Sequence, residues 1–250
     1  MSIEIKNKTI VVTGANRGIG KAVVETFLAH GAKKIYLAVR NLESVNPLTA
    51  QYGKQVEAVY VNLDEPESIK ALATKTQDAE IVVNNAGVLI PANLLSKQAE
   101  ASLNKELNIN TYGLLRMAQA YTPILEKHPE AAFIQLNSVA SIKNFADFTT
   151  YSASKAAAYS ITQGLKDNWS EKGIHILSVH PGPIDTEMAH KAGIGELAEP
   201  SSVVSEGIVK ALQTGEFHLF PDTIAKNIES VYKNYAINII EPLPQQTEAP

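Results

Sequence analysis

The 250-residue chain is 45% hydrophobic, carries a net charge of -4 and contains no cysteine. That apolar content suffices for one large core, while disulfides, thiolate nucleophiles and cysteine metal sites are excluded. Basic residues never run beyond Lys33-Lys34, so neither a nucleic-acid footprint nor an anionic-membrane patch is read, and a small-molecule partner is expected.

The opening stretch "MSIEIKNKTIVVTG" breaks its apolar residues with charges and does not resemble a secretory signal. No window approaches the ~18 apolar residues of a membrane span, so a soluble, cytoplasmic protein is expected. Histidines stand at 30, 128, 175, 180, 190 and 218 without the paired spacing of a metal helix. Metal catalysis is not expected.

In chain order, β-branched apolar runs recur at 9–14, 34–39, 56–61, 80–87, 132–138, 174–182 and 216–221. Such runs are typical of strands buried on both faces of a parallel sheet. Between them lie helical spacings, such as Ile19, Val23 and Phe27, then Leu107, Leu114, Leu115 and Ala118. The alternation predicts an α/β fold, a single-domain Rossmann-like doubly wound parallel sheet with helices on both faces, spanning 1–240. The stretch from 241 to 250, "EPLPQQTEAP", has the composition of a loose tail.

In such a fold, ligands bind at the carboxyl ends of the strands. The first run ends in "TGANRGIG", with glycines at 14, 18 and 20. Glycine allows a sharp turn and close backbone approach, and free N–H groups at the following helix start attract a pyrophosphate. The spacing is GxxxGxG, which is not the GxGxxG fingerprint. About 20 residues on, where an NAD-binding chain places a carboxylate against the ribose, the second run ends in Val39 and Arg40. Arg40, with Arg17 inside the turn, suits the additional phosphate of NADP.

Further along, "TYSASKAAA" sets Tyr151 and Lys155 four residues apart. Their spacing alone leaves open a catalytic pair or two ordinary helix residues.

Together with "TGANRGIG", the motifs "NNAG" at 84–87, "NINTYG" at 108–113, "NSVAS" at 137–141, "YSASK" at 151–155 and "HPGPIDT" at 180–186 resemble those of the short-chain dehydrogenases/reductases, in family order over nearly the whole chain. The resemblance implies a catalytic tetrad of Asn110, Ser138, Tyr151 and Lys155. It implies cofactor contacts at Gly14, Asn16, Arg17, Gly18, Ile19 and Gly20, at Arg40, at Asn62 and Leu63, and at Asn85, Ala86 and Gly87. Further contacts fall on Tyr151 and Lys155 and, between Pro181 and Thr186, on Pro181, Gly182, Ile184 and Thr186. It also implies a homodimer or homotetramer joined through helices, including the one carrying Tyr151. Two positions depart from the pattern: Asn62 replaces a frequent aspartate near the adenine, and Ser141 stands where glycine is common.

These residue types suit carbonyl reduction, which needs a proton for the developing alkoxide and stabilisation of its charge. A Lys155 ammonium ~5 Å from the Tyr151 phenolate would favour it by roughly 3 kcal/mol at an effective dielectric of ~20, about two pKa units before desolvation. Ser138 can orient the substrate oxygen, and the resemblance adds that Asn110 supports a water and that Lys155 holds the nicotinamide ribose. A short substrate-covering loop is expected at about 187–200. Met188, Val139, Ile142, Phe145, Phe148 and Leu89 are candidates for an apolar pocket, whereas Asp147, Asp185 and His190 receive no role. The expected function is NADPH-dependent reduction of a small or medium apolar ketone or aldehyde. Two alternatives are a non-catalytic NADP(H)-binding redox sensor, which an intact tetrad disfavours, and a nucleotide-sugar epimerase, whose chains are usually longer.

Overall fold

Residues 2–241 are described by the computed structural model. Its strands are β1 (Thr9–Thr13), β2 (Lys34–Val39), β3 (Val56–Tyr60), β4 (Ile81–Asn84), β5 (Ala131–Leu136), β6 (Ile174–Val179) and β7 (His218–Leu219). All pair in parallel in one seven-stranded sheet, ordered β3-β2-β1-β4-β5-β6-β7. The sequence-predicted tail lies outside the described residues beyond Glu241.

Side-chain alternation divides the core between the two faces. Ile10, Val12, Ile35, Leu37 and Ile134 pack beneath α1 (Gly18–Ala29), together with residues such as Val204 and Ile208. Val11, Tyr36, Ala38 and Phe133 face the other way, against helices that include Leu72, Leu114, Met117 and Tyr121. The helices after α1 are α2 (Asn46–Tyr52), α3 (Pro66–Lys75), α4 (Ala99–Glu106), α5 (Gly113–Leu125), α6 (Thr149–Trp169), α7 (Glu187–Lys191), α8 (Ser202–Thr214) and α9 (Thr223–Tyr235). Every residue of β1 and β5 is buried. Their runs, apolar but for Thr9, Thr13 and Gln135, reflect that two-sided burial.

Several predicted runs are longer than the strands they contain, and β4 shows why. The Thr13 hydroxyl accepts the N–H groups of Asn85 and Ala86 at 3.0 and 2.9 Å, and Asn85 Nδ2 donates to Thr13 O at 2.9 Å. These bonds draw "NAG" out of the sheet ladder and tie it to the end of β1. At this point the chain order reverses, because β1 lies between β2 and β4. The splayed strand ends open a crevice there.

The helix expected across Leu107 to Ala118 is interrupted by a π-helical segment, Leu107–Tyr112, between α4 and α5. Apolar periodicity carries no mark of this insertion, since it changes the width of a turn and leaves the pattern of buried residues largely intact. The segment nonetheless positions Asn110.

Candidate active site

The glycine turn is sterically specified. Gly14 and Gly18 have φ of +66° and +52°, values that favour glycine. Gly20 has ordinary torsions, but a Cβ there would lie 2.2 Å from Gly14 O, so a side chain would force the helix start away from the turn. Arg17 is the N-cap residue of α1 and makes no side-chain cap, leaving the first N–H groups of the helix to a ligand.

The turn forms one end of a cleft of about 290 Å³ along the carboxyl edge of the sheet. Its walls bring together Gly14, Asn16, Arg17, Gly18 and Ile19, then Arg40, Asn62 and Leu63, then Asn85, Ala86 and Gly87, and finally Tyr151, Lys155, Pro181 and Thr186. Three expected cofactor residues lie outside this wall. Gly20 supports the turn from behind, Ile184 is core, and the Gly182 N–H donates to Asp222 Oδ2 at 2.7 Å.

Arg17 forms an ion pair with Glu187, at the start of α7. This contact joins the phosphate turn to the expected substrate loop. Arg40 is exposed at the cleft rim. Asn62 Nδ2 donates to Glu65 Oε1 at 2.8 Å, while its Oδ1 accepts only a long 3.3 Å bond from the Asp64 N–H. Asp64 itself turns away toward Lys105 and Asn108.

α6 brings Tyr151 and Lys155 to the middle of the cleft, its small residues permitting close approach. The Ser154 hydroxyl donates to Tyr151 O at 2.8 Å and accepts from Asn110 Nδ2 at 3.0 Å. Asn110 Nδ2 also donates to Val88 O, and its Oδ1 accepts the Val88 N–H, both at 2.9 Å. A Cβ on Gly87 would meet Asn110 Oδ1 at 3.1 Å and Lys155 Nζ at 3.7 Å. Asn110 therefore sits behind Gly87, engaged with the backbone.

Lys155 Nζ donates to Leu136 O at 2.7 Å and lies 5.8 Å from the centre of the Tyr151 ring. Among the described residues the hydrogen bond of this lysine goes to a main-chain carbonyl and not to the phenol. Burial pushes Tyr151 up to about 12, outweighing the Ser138 hydroxyl, with the Glu106 charge adding to the rise. Burial likewise pulls Lys155 down to about 8. Desolvation penalises the charged form of each group, and the ammonium is directed at a carbonyl.

Ser138 donates to Pro181 O at 3.3 Å and accepts the Ala140 N–H at 3.1 Å. Ser141, the departure from the family pattern, points away from the cleft: its hydroxyl donates to Ser138 O and lies 2.9 Å from His180 Nδ1. His180 Nε2 is 2.8 Å from the Ser178 hydroxyl, which also accepts from Asn137 Nδ2 at 2.9 Å. A neutral His180 with its proton on Nδ1 satisfies this network. Burial pulls its pKa down from 6.5 to about 3. Because the unfolded chain binds that proton more readily, His180 makes the fold lose stability as pH falls below 6.5. A His180→Gln variant is expected to show a shallower fall of Tm between pH 6.5 and about 4; thermal melts across that range check this.

The expected apolar pocket is largely redistributed. Val139, Ile142 and Phe145 pack with Phe220, Ala225, Ile228 and Tyr232 in a separate core cluster. Leu89 and Phe148 lie outside the cleft wall, whose apolar residues include Met188 and, unexpectedly, Val88, Ile109 and Leu136. Asp185 and His190 pair with each other at 2.8 Å. Sequence reasoning overlooked Thr13, Asn137 and Glu106. Asn137 lines the cleft with a buried Oδ1 that lacks a partner among the described residues, and its position beside Ser138 was the available signal.

The chain matches the family model for short chain dehydrogenases over residues 8–196. An uncharacterized oxidoreductase of Staphylococcus saprophyticus is 30% identical over 221 residues, covering 84% of this chain and 93% of the relative. A short chain dehydrogenase from Burkholderia cenocepacia, solved with NADP, superposes with a TM-score of 0.86 at 26% identity, covering 96% of this chain and all of that one (100%). A short chain dehydrogenase/reductase from Burkholderia phymatum, solved with NAD, gives 0.79 at 22% identity over 96% and 99% of the two chains. The chain belongs to the short-chain dehydrogenase/reductase family of oxidoreductases. No helix among the described residues is long and apolar enough to cross a membrane.

Proposed function

We propose that this oxidoreductase is an NADP-dependent carbonyl reductase, reversible as an alcohol dehydrogenase, acting on a small or medium apolar ketone or aldehyde. The observation carrying this reading is the meeting of Tyr151 and Lys155 with the glycine turn and Arg40 in one cleft. The similar folds include an NADP and an NAD complex, so the fold does not select the cofactor. Arg40 supports NADP.

The glycine cradle, which a Cβ would fill, and the open start of α1 fit a pyrophosphate. Arg40 fits the additional phosphate, joined by Arg17 if it exchanges Glu187 for that anion. NADPH, when bound, supplies the hydride. The Tyr151 hydroxyl donates its proton to the carbonyl oxygen as negative charge develops there, and Ser138 orients that oxygen. Lys155 remains mainly an ammonium at neutral pH, given its value of about 8, and stabilises the phenolate left behind. Asn110 holds the Val88 backbone at the cleft wall. Val88 and Met188 favour an apolar substrate.

Nicotinamide absorbance followed with NADPH and NADH across apolar ketones, aldehydes and diketones tests this reading. Turnover preferring NADPH is expected. Binding without turnover would favour a redox sensor, and failure to bind either cofactor would overturn the reading. A homodimer or homotetramer is the proposed assembly, which sedimentation would read directly.

A further inference from the structure

β6 and β7 run side by side with Ser178 opposite His218 and Val179 opposite Leu219. The same offset of 40 residues continues past the strand ends, where Gly182 meets Asp222. Asp222 is 1% exposed and places its two carboxylate oxygens on different segments of the chain. Oδ1 accepts the Ala225 N–H at 3.0 Å and caps α9, whereas Oδ2 accepts the Gly182 N–H at 2.7 Å. Capping needs one acceptor, which serine, threonine or asparagine also supplies. The helix therefore does not account for the second oxygen. A Cβ on Gly182 would lie 2.6 Å from Asp222 Oδ1 and 3.3 Å from Ile224 Cβ, so glycine lets α9 begin this close to the loop leaving β6.

The Gly182 N–H shares a peptide plane with the Pro181 carbonyl, and Pro181 lines the cleft. That carbonyl accepts the Val139 N–H at 3.0 Å and the Ser138 hydroxyl at 3.3 Å. One rigid planar unit thus joins the Asp222 carboxylate on its N–H side to Ser138 on its carbonyl side. Apolar packing repeats the link: Val139, next to Ser138, shares a core cluster with Phe220 and Ala225, which flank Asp222. The Ser138 bond to Pro181 is long for a hydroxyl, so its proton can turn to a substrate oxygen while Val139 keeps the carbonyl satisfied. A carboxylate on the N–H side holds the plane and polarises it. What it controls is where the Ser138 Oγ stands.

We propose that Asp222 is a positioning residue for Ser138: through the Pro181–Gly182 peptide its carboxylate fixes the carbonyl against which the Ser138 hydroxyl is set, and so the point at which the substrate oxygen is held. The inference rests on the reading of Ser138 as the group that orients that oxygen. The start of α9 lies outside the cleft wall. It serves the reaction without touching substrate.

Asp222→Ser keeps one oxygen for the cap of α9 and gives up the other. The test measures kcat/KM for acetophenone, or for the best carbonyl of the panel, with NADPH in the wild type, Asp222→Ser, Ser138→Ala and the double variant. Asp222→Ser is expected to lower kcat/KM about tenfold, with the Kd for NADPH within about threefold of the wild type. In the Ser138→Ala background the same substitution should cost less than about twofold, because the group through which it acts is gone. A merely structural role gives losses that multiply, and that outcome, or an unchanged kcat/KM in Asp222→Ser, overturns the proposal. If the serine variant does not fold, Asp222→Asn keeps the volume with a single carbonyl oxygen and should show the same non-additive loss.

Hydrogen exchange provides a substrate-free arm. The Gly182 amide is expected to exchange at least about tenfold faster in Asp222→Ser than in the wild type, while the Ala225 amide stays protected by the cap. Equal exchange at Gly182 would show that the carboxylate does not hold the peptide. The Ser138→Ala variant separates the two readings. If its kcat/KM matches the wild type, the assignment of Ser138 has failed; if it falls and the Asp222 loss appears in full on top of it, only the role of Asp222 has failed.

Discussion

Tyr151→Phe is expected to lower kcat/KM for carbonyl reduction by about 10³-fold, with the Kd for NADPH held within about threefold. Phenylalanine keeps the ring that fills the cleft wall and removes only the hydroxyl, so fold and cofactor cradle remain. Loss of the proton donor leaves the developing alkoxide without its acid. Because burial holds the phenol up to about 12 in the cofactor-free protein, Tyr151 is fully protonated at neutral pH and ready to donate. The Lys155 ammonium, with its value of about 8, is the group that loses its proton first as pH rises. Reduction should therefore fall above about pH 8 with the loss of that cation. Steady-state kinetics and a fluorescence titration with NADPH check both halves. Retained turnover in the variant would end the tyrosine assignment.

The second large effect is expected from Arg40→Asp, which should reduce the ratio of kcat/KM for NADPH over NADH by about 10²-fold. A charge-assisted contact to the additional phosphate is lost and a repelling carboxylate takes its place. Arg40 is exposed at the cleft rim, where substitution leaves the core untouched. An unchanged ratio in paired kinetics with the two cofactors would refute its selective role. A smaller shift on replacing Arg17 is consistent with its ion pair to Glu187, which must be exchanged before the side chain serves a phosphate.

The alternating runs and helical spacings made the parallel sheet legible, because strands buried on both faces are predominantly apolar. The glycine turn was legible for a similar reason: Gly14 and Gly18 occupy positive φ, and Gly20 has no room for a Cβ. Strand ends were less legible. "EIVVNNAG" reads as one run, but Thr13 takes the N–H groups of Asn85 and Ala86 from 70 or so residues away. The π-helical segment around Asn110 was invisible for the same reason, since its anchors are Val88 and Ser154.

Val139, Ile142 and Phe145 show the limit of reading a pocket from composition. They follow the strand that leads into the site, yet their apolar side chains meet Phe220 and α9 in a core of their own. An apolar residue near a site in sequence joins whichever apolar surface the fold brings to it.

By itself, the sequence determined the sheet, the cofactor turn and the residue types available for proton transfer, because these follow from periodicity, local backbone sterics and side-chain chemistry. Only the tertiary structure decided that Lys155 is aimed at Leu136, that Arg17 is tied to Glu187, and that Glu106 is buried against the Ile90 N–H. Those outcomes set the proton affinities and free cations of the site, and they depend on desolvation and on partners that only folding brings within reach.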